Sequence, residues 1–454
     1  MNFPKNFIWG ASTASYQIEG AAREAGKGLS VWDTFSHTEG KVMNGDHGDI
    51  ACDHYHRMKE DVALMKAMGL QAYRFSISWP RILPEGKGKV NPEGLAFYSQ
   101  LVDELLAAGI EPYVTLYHWD MPQALYEQGG WLNRDISDWF ADYTRLVVDA
   151  LSDRVTYWMT INEPQCHLIL GHYDGYHAPG AKVSPGEIFT MMHHLFLAHG
   201  KAVKVIRSHA KKTPIVSYVP CPGPAVPNSA SAEDLEAARA YFFHASARGL
   251  WSNSWWLEPV LNGTYPQDGL EYYKDVFPAD IIQDGDMELI SQPLDFLGIN
   301  LYQGNVIRKE DSSDTGFEVV PRKPGFDKTA LKWLVHPEIM YYTPKFLYER
   351  YHLPIIIAEN GLSMPDWVSL DGQVHDPGRI DFMHRYLKEL SKASQEGADI
   401  RAFFYWSLMD NFEWSEGYNE RFGLIHVDYT TQKRTLKDSA YWYTEVIKNN
   451  GSNL

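Results

Sequence analysis

The chain has 454 residues, 44% of them hydrophobic, with 41 basic against 58 acidic side chains and a formal net charge of -17. That much apolar sequence can fill a large core, and the acidic balance argues against non-specific binding to nucleic acid or to anionic membranes. Three widely spaced cysteines, Cys52, Cys166 and Cys221, form no C-x-x-C pair for zinc or redox chemistry; they read as reduced thiols of a cytoplasmic protein, and no stretch reads as a signal peptide or membrane span.

Residues 7–14 are predicted as the first strand, which puts Gln17 at its carboxyl end. Met58, Val62, Met65 and Met68 recur at helical spacing, Gly69 closes that helix, and residues 72–78 follow as a strand carrying Arg74. Asn91-Pro92-Glu93 is a helix cap with proline at the first helical position, and Gly109 ends the helix it opens. Residues 112–117 form the third strand and deliver His118, Trp119 and Asp120. A helix over residues 137–151 leads into residues 155–161, a fourth strand that delivers Asn162 and Glu163 before Pro164 stops its pairing. Ser184-Pro185-Gly186-Glu187 is a capping-box pattern, and residues 214–218 are the fifth strand.

A helix over residues 237–250 precedes the sixth strand, residues 295–300, which ends on Asn300. Ile355-Ile356-Ile357-Ala358 is apolar, rich in β-branched residues and introduced by Pro354, the pattern of a strand buried on both faces; it ends abruptly on Glu359. Asp376-Pro377 caps a helix with Ile380, Met383, Leu387 and Leu390 on one face, and residues 403–407 form the eighth strand, which brings up Trp406. The least regular stretch, residues 303–335, is expected to be a long loop over the mouth. The βα alternation recurs from end to end without a linker. The fold class is therefore α/β, a single (β/α)8 TIM barrel with extended βα loops, one catalytic domain over residues 1–454.

A carboxylate at the end of a buried strand loses solvation, and folding alone does not favour it. Glu163 and Glu359 end two such strands far apart in sequence, and a closed sheet brings them together. Paired carboxylates at that place point to acid/base or nucleophilic work on a glycosidic bond. Taken singly, His118 reads as a structural histidine and Arg74 as a surface charge. Seven strands that supply polar or aromatic residues at one end of a barrel point to a working face instead. The 15 tryptophans and 27 tyrosines add a mild preference for a carbohydrate ligand, since flat rings stack on the apolar faces of sugars.

From Phe7 to about Tyr443 the sequence resembles a family 1 glycoside hydrolase of the β-glucosidase type. The resemblance rests on Thr160-Ile161-Asn162-Glu163-Pro164, Ile357-Ala358-Glu359-Asn360-Gly361, Tyr117-His118-Trp119-Asp120, and the run from Trp406 through Asp410-Asn411-Phe412-Glu413-Trp414. It implies a retaining β-glycosidase that acts on a small-molecule β-glycoside with no metal or organic cofactor. Glu359 would be the nucleophile, Glu163 the general acid/base, and Arg74 and Tyr302 the groups that support the nucleophile. Retention needs the two carboxyl groups about 5–5.5 Å apart.

The resemblance further implies that Gln17, His118, Asn162, Glu413 and Trp414 hold the sugar hydroxyls, that Trp119 and Asn300 belong to the same substrate-binding set, that Trp406 lies under the ring, and that Trp333 walls the leaving group. Departures from the family pattern, Gln165, Leu301 and the stretch Tyr218-Val219-Pro220-Cys221-Pro222, fall on the leaving-group side. Thioglucosidase relatives replace the acid/base glutamate with glutamine, whereas Glu163 is present here. Phosphate-selective relatives carry a small residue where Glu413 stands, with Lys and Tyr shortly after. A catalytically idle sugar-binding barrel would be expected to have lost a carboxylate, and neither is missing. The oligomeric state is not legible in the chain.

Overall fold

In the computed structural model, which describes residues 3–454, the apolar runs pair edge to edge as eight parallel strands. They are β1 (Ile8–Ser12), β2 (Ala72–Ser76), β3 (Glu111–Tyr117), β4 (Tyr157–Asn162), β5 (Ile215–Val219), β6 (Leu297–Asn300), β7 (Ile355–Asn360) and β8 (Ile400–Trp406). Their order in the sheet is β5, β4, β3, β2, β1, β8, β7, β6. The two ends of that sheet meet through Asp295 N donating to Val216 O (3.0 Å), Gly298 N to Ser217 Oγ (3.0 Å) and Asn300 N to Pro220 O (3.1 Å), so the ring closes. Helices His54–Ala67, Pro92–Ala107, Ile136–Leu151, Pro185–His209, Ala232–Phe243, Ile339–Tyr351, Pro377–Gln395 and Asp438–Lys448 follow the strands in turn. This is the (β/α)8 barrel that the alternation predicts.

The Asn91 and Ser184 caps behave as their chemistry requires, whereas Asp376 makes no cap bond and its carboxylate is spent on Arg379 and Ser439. Asn91 accepts from Glu93 N with Pro92 at the first helical position, and Ser184 and Glu187 close a reciprocal capping box. Inside the ring, Ala72, Tyr113, Met159, Ile356, Ala358, Ala402 and Phe404 pack together, so the barrel is filled rather than open. Gly10 is needed there, because a Cβ on it would lie 2.6 Å from the Phe404 ring. Side chains on one face of a strand recur every second residue. Arg74 therefore stands above Ala72, and Trp406 above Phe404, at the carboxyl end of the ring.

Alternation alone does not aim the two glutamates. Against β6, Ile357 pairs with Ile299 and Glu359 with Asn300, so two steps on β7 oppose one on its neighbour. Against β5, Met159 pairs with Ser217 and Asn162 with Val219, three steps against two. Each is a bulge that shifts the phase of the strand and turns its last side chains toward the mouth. Gly361 permits the tight exit of β7, since a Cβ there would lie 1.8 Å from Trp406 O.

Two expectations need correction. Residues 303–335 are not a plain loop: Asn305–Lys309 pairs antiparallel with Phe317–Val319 and parallel with Ala225–Pro227 in a small sheet beside the mouth. The helix expected over residues 237–250 begins earlier, at Ala232 behind the Ser231 cap, and stops at Phe243. It stops because tertiary hydrogen bonds capture the chain: Ala245 N donates to Asp268 (2.8 Å) and Ala245 O accepts from Trp255 Nε1 (3.1 Å).

Below the last βα loops lies a dry ion cluster. Lys437 Nζ contacts Asp366 (2.5 Å) and Asp410 (2.7 Å), Arg421 contacts Asp410 (2.6 Å), and Arg379 contacts Asp376 (2.8 Å) and Asp366. Removing one partner of such a cluster leaves a buried charge unmatched, at a cost of about 3–5 kcal/mol. Lys437→Met is thus expected to lower the denaturant midpoint markedly in equilibrium unfolding followed by tryptophan fluorescence. An unchanged midpoint would show that the cluster is solvated.

Candidate active site

The strand ends and the loops after them enclose a cavity of about 500 Å³ at the carboxyl end of the barrel. Of the residues singled out in the sequence, His118, Trp119, Glu163, Tyr302, Trp333, Glu359, Trp406, Glu413 and Trp414 line it. Gln17, Arg74, Asn162 and Asn300 do not; they are wholly buried in the layer behind that wall.

That layer is one connected network. Arg74, from β2, donates through Nη1 to Glu359 Oε1 (2.6 Å) and through Nη2 to Asn162 Oδ1 (2.6 Å), while its Nε reaches Thr115 Oγ1 on β3 (3.2 Å). Asn300 Nδ2, at the end of β6, donates to Asn162 Oδ1 (3.0 Å) and to Glu163 Oε1 (2.8 Å). Since Asn162 Oδ1 is an acceptor twice over, its Nδ2 is the donor to His118 Nε2 (3.1 Å), which places the ring proton of a neutral His118 on Nδ1. Burial, and next the Arg74 charge, hold His118 well below its ordinary value, so the ring stays neutral. Trp119 Nε1 donates to Asn162 O (3.0 Å).

The two glutamates have unlike partners. Glu359 receives a guanidinium N–H from Arg74 and the hydroxyl of Tyr302 (2.7 Å). Glu163 receives a neutral amide from Asn300, and it sits in left-handed backbone at φ 42°. Burial raises both carboxyls. Glu359 is pushed up to about 7, with Arg74 opposing and the Glu163 charge reinforcing the effect of burial. Glu163 is raised by burial against the lowering pull of Asn300. The charge of each carboxyl bears on the other, so the two titrate as a unit and a proton retained near neutrality belongs to the pair. Charge-assisted bonds favour the ionised form of Glu359. Glu163 accepts from a neutral amide instead.

Around them stands an aromatic wall. Trp414 packs on Trp119 (4.7 Å between centroids) and Trp32 (4.6 Å), and His118 lies near-parallel to Trp406 (5.8 Å). Trp119 and Trp414 both hold left-handed backbone, at φ 75° and 51°, a cost that bulky residues bear chiefly where surrounding structure and function impose it. Trp333 leans on Tyr302 (5.2 Å) and Phe422 (5.9 Å) at the opposite rim. Glu413 is half-buried, its Oε2 within 3.4 Å of Gln17 Nε2, and loss of solvent and then the Glu359, Glu420 and Glu163 charges raise it well above its ordinary value. Gln17 Oε1 and Asn300 Oδ1 have no protein partner.

Sequence reasoning passed over several lining residues. Arg248 and Trp251 reach the cavity from the turn that the expected helix over residues 237–250 would have erased. Cys166 and Cys221, placed apart as unrelated thiols, meet beside Glu163: one donor atom from each of the three lies within 4.8 Å of the others. Only the closure of β4 against β5 brings them together. His37, His47 and Asp49 form a second donor cluster, which lies largely exposed on the surface away from the cavity lining.

Comparison with known proteins agrees with this geometry. Residues 1–452 match the family described as Glycosyl hydrolase family 1. A 1,4-β-D-glucan glucohydrolase of Thermotoga neapolitana is 47% identical over 452 residues, covering 99% of each chain. The solved structure of a β-glucosidase from Thermotoga maritima in complex with deoxynojirimycin is similar at a TM-score of 0.90 and 46% identity, again covering 99% of each chain. An aryl-phospho-β-D-glucosidase of Bacillus subtilis (strain 168) is 39% identical over 483 residues, covering 100% of this chain and 98% of that one. Between neutral and phosphorylated sugars the choice thus falls to the residues of the cavity. The chain belongs to glycosyl hydrolase family 1.

Proposed function

We propose that the protein is a retaining β-glucosidase that removes terminal β-D-glucosyl residues from small β-glycosides by double displacement. The unlike partners of the two buried carboxyls carry this reading. Glu359, with Arg74 and Tyr302 donating to it, is the ionised nucleophile that attacks the anomeric carbon. Glu163, left with an amide partner and the shared proton, delivers that proton to the departing oxygen and then takes one from the water that cleaves the glycosyl-enzyme. His118, Trp119, Trp406, Glu413 and Trp414 line the pocket for the sugar, and Trp333 stands on the leaving-group side. The orphaned acceptor oxygens of Gln17 and Asn300, behind the wall, favour a hydroxyl-bearing ligand or water that reaches through it. Gln17, Asn162 and Asn300 act as positioning residues for Glu413, His118 and Glu163. The three free thiols fit a reducing compartment, the cytoplasm.

A neutral sugar is favoured over its 6-phosphate by the charges at the pocket. Glu413 and Glu416 line it, and Arg421, the single cation in the stretch Glu416–Phe422, is committed to Asp410 at 2.6 Å. A phosphate of nearly two negative charges would meet the acidic groups of Glu413 and Glu416 without a free counter-ion in that stretch, since Arg248, the cation among the lining residues, stands beside Gly223 and Trp251. Nitrophenyl β-glucoside is accordingly expected to be turned over with a far larger kcat/KM than its 6-phosphate. Glu413→Ser narrows that gap mainly by harming the neutral substrate. Equal or better turnover of the phosphorylated sugar by the unsubstituted enzyme would overturn this reading.

General acid catalysis is worth about 10²–10⁴-fold, and most for a poor leaving group. Glu163→Gln is therefore expected to cost far more in the glycosylation step for cellobiose than for a dinitrophenyl glucoside. With the unsubstituted enzyme, kcat/KM for cellobiose should fall on the alkaline side, as the raised carboxyl of Glu163 loses its proton. In Glu163→Gln that alkaline fall should vanish for the dinitrophenyl substrate. Equal rate losses for the two substrates, or an alkaline limb that survives the substitution, would move the proton donor to another residue.

A further inference from the structure

Cys166 and Cys221 come from different loops, after β4 and after β5, and both line the cavity together with Glu163. The third cysteine, Cys52, is a buried thiol that donates to Asp410 O (3.0 Å) and lies outside the cavity lining. The pair is different in kind: two sulfurs and a carboxyl oxygen, all within 4.8 Å of one another, on the wall of a cleft open to solvent. A tetrahedral zinc ion holds sulfur at about 2.3 Å, which sets two such ligands roughly 3.8 Å apart. The donors here need to draw together by at most about 1 Å to reach that arrangement.

We propose that Glu163, Cys166 and Cys221 form a binding site for a thiophilic divalent cation, of the Zn²⁺ or Cd²⁺ class, and that its occupation switches the enzyme off. Two thiolates and one carboxylate select borderline and soft cations over Mg²⁺ or Ca²⁺, which prefer all-oxygen sets. The exchange balances without a redox step. The cation bonds to two sulfurs and one oxygen, and the two thiol protons and the carboxyl proton of Glu163 pass to solvent. A carboxylate held by the cation has no proton to deliver to the leaving oxygen, so glycosylation stalls. The cation also stands beside Pro222 and Gly223, where the leaving group would pass. Loss of turnover rests on the acid role given to Glu163; cation binding does not.

The test uses the full chain, reduced and then freed of reductant and chelator, titrated with Cd²⁺ or Zn²⁺ and with Mg²⁺ for comparison. The expected result is an ultraviolet thiolate-to-cadmium absorption band that saturates at one cation per chain. Turnover of cellobiose should fall at least about tenfold over the same concentration range, and a chelator should restore it. Loss even of a group that only orients a ligand weakens a metal site by about 10–100-fold, and loss of a ligand by no less. Cys166→Ser and Cys221→Ser should each shift half-inhibition by that factor, scored against the variant's own cation-free rate, while Mg²⁺ should do nothing at matched concentrations. Absence of the band in the unsubstituted enzyme would overturn the site without reference to any variant. Unchanged half-inhibition in the double serine variant would overturn it as well. A stoichiometric band without loss of turnover would uphold the site and overturn the acid role of Glu163 instead.

Discussion

A buried guanidinium holds this site together. Arg74 is 1% exposed, and its donors reach Glu359 on β7, Asn162 on β4 and Thr115 on β3, so one side chain ties three strands at the carboxyl end of the ring. A planar fork of five fixed donors suits that task, and a lysine would not, since its single ammonium cannot span acceptors on opposite walls. Once Arg74 occupies the Asn162 oxygen, the Asn162 amide must donate to His118, and the tautomer of that ring follows. Arg74 also supplies the charge that favours the ionised form of Glu359. The tautomer of His118 and the geometry behind the cavity wall thus descend from one residue on β2.

The charge balance of the chain has a local form. Glu163, Glu359, Glu413 and Glu416 all face one cavity, and Glu413 is held protonation-prone by burial and by its neighbours. The cations of the surrounding layer are mostly spent on aspartates: Arg379, Arg421 and Lys437 on Asp366, Asp376 and Asp410. Among the described residues that division leaves Arg74 the one cation tied directly to the paired carboxyls.

Much of this was legible in the sequence, and the failures have physical causes. The strand runs, the Asn91 and Ser184 caps and the two strand-end glutamates carry local signals, because propensity and period two are short-range properties. The bulges in β4 and β7 that turn Glu163 and Glu359 inward carry none, for they exist only in the register with β5 and β6. Tertiary capture of Ala245 ended a helix that composition would continue, and it brought Arg248 and Trp251 to the cavity. The hairpin Asn305–Lys309 with Phe317–Val319 was hidden because its strands are short and one-sided. Cys166 and Cys221, 55 positions apart in number, became a pair only through strand neighbourhood.

The central claim is that Glu359 bonds to the sugar. An activated β-glucoside with fluorine at the carbon next to the anomeric centre forms the glycosyl-enzyme quickly and releases it slowly, so the intermediate accumulates. Peptide mass spectrometry of the trapped, digested enzyme should find the added sugar on the peptide containing Glu359, and fragmentation should place it on that carboxyl. A label on Glu163 or on any other residue, or turnover without a trapped species accompanied by early appearance of the α sugar in proton NMR, would contradict the account.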